Sequence, residues 1–252
     1  MTMASSVLPQ ALVNLCRESA RAENDLVILA EGNAAVCMGD TQWVTTSGSR
    51  LSTLGLDDVV ATKPEVILAA VENGGSAEDW ARATAAARMG SDQVPSIEAP
   101  MHAVAAALTG AAWTLHTHPT DLLGLLTTDE WESFAATPLF PDQIVVCGPS
   151  MCRLPYVDPG RTLAEATWRV LSEFHLAKGS WPKVLLMANH GMLALGASAE
   201  EAFNITAMTV KAARVWTAAA SMGIPRGLST SDTARIDSRP DEQHRRRALG
   251  GG

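Results

Sequence analysis

AAWTLHTHPT, residues 111–120, is an apolar run that ends in two histidines one residue apart, followed by Pro119. A strand's side chains alternate between its two faces, so His116 and His118 leave one face while Thr117 points the other way. The run reads as a strand over 113–117 that stops before the proline. Two imidazoles at a strand end fit adjacent metal ligands, a hydrogen-bonded pair or a solvated strand end, and the stretch alone does not choose among them.

Working outward, VLLMANHGMLALG (184–196) is a buried strand over 183–188 broken by Asn189-His190-Gly191. A polar triplet between two apolar runs marks a turn at the end of a sheet strand, with Gly191 supplying backbone freedom and His190 projected from the strand end. The alternative is an ordinary surface hairpin turn. In PSIEAPMHAV (95–104), Ser96 can cap a helix over 97–108, and Pro100 falls near its first turn, where proline is tolerated. Glu98 and His102 are four apart and share a helix face. Glu98 reads either as a first-turn carboxylate favoured by the helix dipole, with His102 as its partner, or as a carboxylate beside a metal.

The remaining elements set these pieces in a frame. Residues 8–22 have helical apolar spacing, and strands over 34–38 and 42–46 flank the turn Gly39-Asp40. Ser76 with Asp79 caps a helix over 77–88, and Ser198 with Glu201 opens the long helix Ala199–Met222 closed by Gly223. Strands are expected over 143–147 and 152–157, and a helix over 163–177. Hairpins mixed with helical crossovers predict an α/β chain with a mixed sheet between helical layers. EGNAAV (31–36) and TTSGSRL (45–51) carry small residues and donors suited to ordinary turns or to an oxygen-rich group.

Composition narrows the classes. The 252 residues are 47% hydrophobic with a formal charge of −8 and a pI near 5.2, enough for a substantial core in one domain spanning 1–252. The acidic balance argues against nucleic acid as a partner. Arg245-Arg246-Arg247 sits in what reads as a flexible, solvated tail from about 240, ending in Gly-Gly-Gly. No apolar run reaches the ~18 residues of a membrane span, and no signal peptide is evident. Cys16, Cys37, Cys147 and Cys152 lack metal or disulfide spacing and read as reduced thiols, so a cytoplasmic protein is expected.

Taken in order, the GN and SG loops, the S-x-E-x-x-x-H helix (Ser96, Glu98, His102), the HxH strand and the NHG turn resemble the class II aldolase/adducin family from about residue 8 to 222. LPYVDPG (154–160) and LFPDQIVVCGP (139–149) resemble its rhamnulose-phosphate aldolase branch. The resemblance implies a three-layer α/β/α sandwich around a mixed, largely antiparallel sheet, assembled as a homo-oligomer, commonly a tetramer. It implies that His116, His118 and His190 hold a divalent metal, Zn²⁺ first, with Mn²⁺, Fe²⁺, Ni²⁺ or Co²⁺ as alternatives. Glu98 would be the fourth ligand and the general base. Asn33, Ser47, Gly48 and Ser96 would bind substrate.

The implied reaction is a lyase step in carbohydrate metabolism: a C–C bond in a sugar, sugar phosphate or related hydroxy-ketone is cleaved or formed through a metal-stabilised enediolate. Two positions depart from the aldolase pattern. Ile97 and Ala35 stand where serines are common, removing hydroxyls from the phosphate pocket. The single tyrosine, Tyr156, leaves 119–140 without the tyrosine that fuculose-phosphate aldolase places there. Alternatives are a metal-dependent decarboxylase or other non-aldol enzyme on the same scaffold, and a non-catalytic adducin-like interaction protein. A Schiff-base aldolase would need a desolvated lysine, and none of Lys63, Lys178, Lys183 and Lys211 lies in a clearly buried run.

Overall fold

The computed structural model describes residues 4–248. In chain order its helices and strands are α1 (Ala4–Ser19), β1 (Asn33–Met38), β2 (Thr41–Thr45), β3 (Val59–Thr62), α2 (Pro64–Asn73), α3 (Ala77–Ala86), α4 (Ala99–Thr109) and β4 (Trp113–Thr117). There follow α5 (Thr120–Leu126), α6 (Trp131–Ala136), α7 (Pro141–Cys147), β5 (Cys152–Leu154), α8 (Arg161–Lys178), β6 (Val184–Met187), β7 (Gly191–Gly196), α9 (Ala199–Met222), α10 (Thr230–Ser238) and α11 (Pro240–Ala248). The seven strands form one sheet in the order β3-β2-β1-β4-β7-β6-β5. Every pairing is antiparallel except β5 with β6, so the sheet is mixed and largely antiparallel, as expected.

Strand alternation sorts the sheet's side chains into two cores. Trp113, Leu115, Val184, Leu186, Met192 and Ala194 face one side, where they pack with Leu12 of α1, Leu122 of α5 and Ile205 of α9. Leu185, Met187, Leu193 and Leu195 face the other side and meet Met101 of α4 and Leu163 and Leu171 of α8. Helices therefore cover both faces, and the chain has the three-layer α/β/α architecture. Each fully buried Leu contributes about 1.5–3 kcal/mol of transfer free energy, which makes this alternation the main determinant of register.

On β4 the same alternation gives His116 and Thr114 to the α4 face. β4 is the central strand, so the histidine strand has a neighbour on each side: Asn33 of β1 lies opposite His116 across one ladder, and Leu193 of β7 across the other.

Helix caps read from sequence are present in the structure. The Ser76 side chain accepts from Asp79 N–H in a reciprocal capping box, and Ser198 accepts from Glu201 N–H. Gly39 (φ +62°) lies in the two-residue turn that closes the first hairpin, with Met38 opposite Thr41.

Three expectations are corrected. Residues 143–147 form helix α7, not a strand. Gln143, Ile144, Val145, Val146 and Cys147 are all buried, so the stretch has no period to read, and Pro141 at the helix start and Gly148 just past its end are the signals that decide it. The strand from Cys152 ends at Leu154 because Pro155 has no N–H to offer.

α4 begins at Ala99, two residues later than expected. Glu98 occupies the N-cap position and Ser96 Oγ accepts from Glu98 N–H at 3.3 Å instead of capping the helix proper. Residues 240–248 form α11, where Arg245 pairs with Asp142 of α7. The terminal glycines lie outside the described residues.

Candidate metal centre

Three loop-proximal strand ends converge at one end of the central strands. His116 and His118 come from β4 and the residue beyond it, and His190 comes from the turn between β6 and β7. Asn189 in that turn has φ +55°, a left-handed conformation that asparagine tolerates better than most residues. Gly191 follows, and a Cβ there would lie 2.4 Å from Thr117 O and 2.9 Å from His118 Cδ2. Only glycine lets the turn approach β4 this closely. Gly191→Ala is therefore expected to displace His118 or the turn, costing about 1–3 kcal/mol in thermal unfolding and at least about tenfold in metal affinity by titration. Unchanged affinity would show that the close approach is not needed.

The three imidazoles offer ligand nitrogens that all lie within 4.8 Å of one another. Their ring centroids are 4.6 to 5.2 Å apart, and His118 Nε2 lies 2.8 Å from His116 Nε2. The fourth group is Glu98, whose Oε2 is 3.2 Å from His116 Nε2 and whose Oε1 is 3.0 Å from His190 Nε2. Apart from His190, no donor among the described residues meets the buried Glu98 Oε1, and three imidazole nitrogens face inward beside it. That donor set, three neutral nitrogens with one carboxylate, suits a divalent cation.

A buried chain holds Glu98. Asn33 Nδ2 donates to Glu98 Oε2 at 2.6 Å, and Asn33 Oδ1 lies 2.5 Å from His102 Nε2. An oxygen can only accept, so His102 Nε2 carries the proton. Burial, together with the charge on His116, pushes His102 down to about 3, so its ring is neutral and Nδ1 is a lone pair. Thr114 Oγ1, 2.6 Å away, is placed to donate to it. His102 is thus tied to Glu98 through Asn33 rather than directly, which sets aside the alternative that made His102 the direct partner of Glu98.

His116 is oriented by its other nitrogen: Nδ1 lies 2.8 Å from Met192 O, fixing the proton there and turning Nε2 toward the centre. Burial opposes a charge on His116, yet the Glu98 carboxylate and the Met192 carbonyl outweigh it and raise the pKa. Burial, with His116 and His190 alongside, pushes His118 down to about 3. Burial would raise Glu98, but His116, His190 and Asn33 hold its carboxyl far below the usual range. The centre is a concentrated negative site that a proton on His116 and a cation would compete for.

The other sequence candidates divide. Asn33 and Ser96 touch Glu98. Ser47 and Gly48 lie in the turn after β2, where Ser47 N–H donates to Val94 O and Gly48 has φ +78°, and no hydrogen bond among the described residues links them to the histidines. Tyr156 is exposed and donates to Asp158, and Lys183 is held by Glu201. Thr114 and Met192 were not singled out by sequence, because one is an ordinary strand residue and the other acts through its carbonyl. Among the described residues no helix is long and apolar enough to cross a membrane.

No curated protein sequence matches this chain. Its fold is shared with solved structures of low identity. An L-fuculose 1-phosphate aldolase is 20% identical, with 93% of this chain and 96% of that chain covered and a TM-score of 0.69. The N-terminal class II aldolase domain of a conserved protein from Thermoplasma acidophilum is 24% identical over 86% and 96%, with a TM-score of 0.64. YgbL from Escherichia coli, described as a candidate aldolase, epimerase or decarboxylase, is 18% identical over 92% and 98%, with a TM-score of 0.69. The sequence model described as Class II Aldolase and Adducin N-terminal domain matches residues 10–217, so the chain belongs to the class II aldolase and adducin family.

Proposed function

We propose that the protein is a divalent-metal-dependent aldolase that cleaves or forms a C–C bond in a hydroxy-ketone of the sugar or sugar-phosphate type. The observation that carries this reading is the buried Glu98 carboxylate, with one oxygen fixed by Asn33 and the other 3.0 Å from His190 Nε2, beside three inward-facing imidazoles. His116, His118 and His190 would hold the cation, Zn²⁺ by preference. When bound, such a cation polarises a substrate carbonyl and stabilises the enediolate left by C–C cleavage.

The chain's own residues supply the rest. Glu98 would take or return the proton at the carbon next to the carbonyl. Asn33 keeps the carboxylate aimed at that position, and the Thr114–His102–Asn33 chain fixes Asn33. Asn33, Ser47, Gly48 and Ser96 would bind the substrate's polar end. Exposed Ile28 and Leu29, near the opening beside His118, support a homo-oligomer, a tetramer by family resemblance, in which another copy covers that mouth. Free, buried Cys16, Cys147 and Cys152, each pushed up to about 12 by burial, fit a reducing cytoplasm.

Treatment with a chelator is expected to abolish cleavage, and Zn²⁺ or Mn²⁺ to restore it. The assay is aldol addition with dihydroxyacetone or its phosphate and a panel of aldehydes. A second reading, a metal-dependent decarboxylase or other non-aldol enzyme, is favoured by one observation: Tyr156 is exposed and paired with Asp158, leaving the leaving aldehyde without a tyrosine donor. Turnover of a carboxylic acid to CO₂ with no aldehyde product would replace the aldolase reading with this one.

A further inference from the structure

Next to the centre lies a pocket of about 390 Å³, of which the reaction as proposed uses only the end lined by Ser47 and Ser96. Its floor is the segment around Glu98, through Ser96, Ile97, Ala99 and Pro100, and its far wall is α3. The surface is largely apolar, with Ile67, Trp80, Val94, Ile97 and Pro100 lining it. Val94 and Ile97 are 58% and 63% exposed, a poor use of large aliphatic side chains unless something covers them.

One cation lines this pocket, Arg88. It is half-buried, and among the described residues no carboxylate pairs with it and no hydrogen bond engages its guanidinium. The other arginine close by, Arg161, has partners: Glu165, Gly75 O and the Trp80 ring. Arg88 is bridged to Thr62 at one end of β3, and Thr46 to Pro95 at the other. Thr62 lies opposite Gln42, four residues before Thr46 on the neighbouring strand, so the two ends of the pocket are about 13 Å apart along the strands. Ser47 and Ser96 line the end near Glu98.

Hydroxyl donors are scarce at the Arg88 end. Thr62 Oγ1 donates to Gln42 O, and Thr84 Oγ1 to Trp80 O. A phosphate dianion needs several donors or cations, whereas a monoanionic carboxylate is matched by one planar guanidinium. We propose that this pocket binds the distal end of the substrate and that this end is an apolar chain or ring closing in a carboxylate on Arg88. The proposal rests on the reading of Glu98 and the histidines as the reacting centre, which sets the near end of the substrate.

The test is calorimetric titration of the zinc-loaded full chain with phenylbutanoate, its neutral amide and inorganic phosphate. Phenylbutanoate is expected to bind at least about tenfold tighter than the amide. Arg88→Met, which keeps the aliphatic stem, should erase that difference by weakening the carboxylate alone, and Arg88→Lys should recover most of it. Equal affinity for acid and amide, an undiminished carboxylate affinity in Arg88→Met, absence of binding, or tighter binding of phosphate than of phenylbutanoate would each overturn the proposal. No turnover is involved, so a failed aldol assay would leave this result standing, and a failed titration would leave the aldol reading standing.

Discussion

Glu98→Gln is expected to lower kcat by about 10²–10⁴-fold while the protein still folds and still binds a divalent metal. The substitution keeps the shape of the side chain, so the buried contacts survive. Asn33 Nδ2 needs an acceptor at the position of Glu98 Oε2, and the glutamine oxygen supplies it. Its NH₂ then faces His190 and the centre, where Glu98 Oε1 stood. A neutral donor there cannot accept a proton from carbon. It also removes one negative charge from the cation's surroundings, so metal affinity should fall, but His116, His118 and His190 remain.

Kinetics alone would not separate a lost base from a displaced substrate. Deuterium exchange at the carbon next to the carbonyl of dihydroxyacetone, followed by NMR without any aldehyde present, reads proton removal directly. Wild type should exchange and Glu98→Gln should not. Glu98→Asp, shorter by one methylene and still ionised, should fall between them, because Asn33 holds its partner at a fixed distance. Exchange as fast in Glu98→Gln as in wild type would show that the base lies elsewhere.

Much of the scaffold was legible because local chemistry and tertiary packing agree. α9 matches its expected bounds, since Ser198 and Gly223 close a helix whose inner face is Ala202, Ile205, Thr209, Ala213 and Trp216. β4 and the first hairpin were readable from alternation and the Gly39-Asp40 turn. α7 was not, because a short run buried all round has no period, and β-branched Ile144, Val145 and Val146 favour the wrong state.

For the centre, sequence gave the shared face of His116 and His118 by the strand period, and the projection of His190 by the turn. It could not give strand register, which alone puts Asn33 opposite His116 and within reach of Glu98. Nor could it place the start of α4. A two-residue shift there moves Glu98 from the helix face to its N-cap, turns it toward the sheet and lets Asn33 come between it and His102.

The second large effect concerns His116, and it distinguishes that residue from the other two histidines. His116→Ala and His190→Ala should each weaken metal binding by more than about 100-fold, since even changes behind the ligands cost about 10–100-fold. Their effects on the metal-free protein should differ. His116 is fully buried on the central strand and lies against a buried carboxylate, whereas His190 sits on a turn with its side chain 11% exposed. Removing His116 takes from Glu98 its fully buried partner, and breaking a buried pair in this way costs about 3–5 kcal/mol. Denaturant unfolding of the metal-free proteins should show that loss for His116→Ala and a much smaller one for His190→Ala. In the double variant His116→Ala/Glu98→Gln, the stranded charge is gone, so stability should recover above that of His116→Ala alone while metal binding does not. Additive losses in that cycle would mean that His116 and Glu98 do not act as a coupled pair, and that the centre is held by the sheet around it rather than by its own charges.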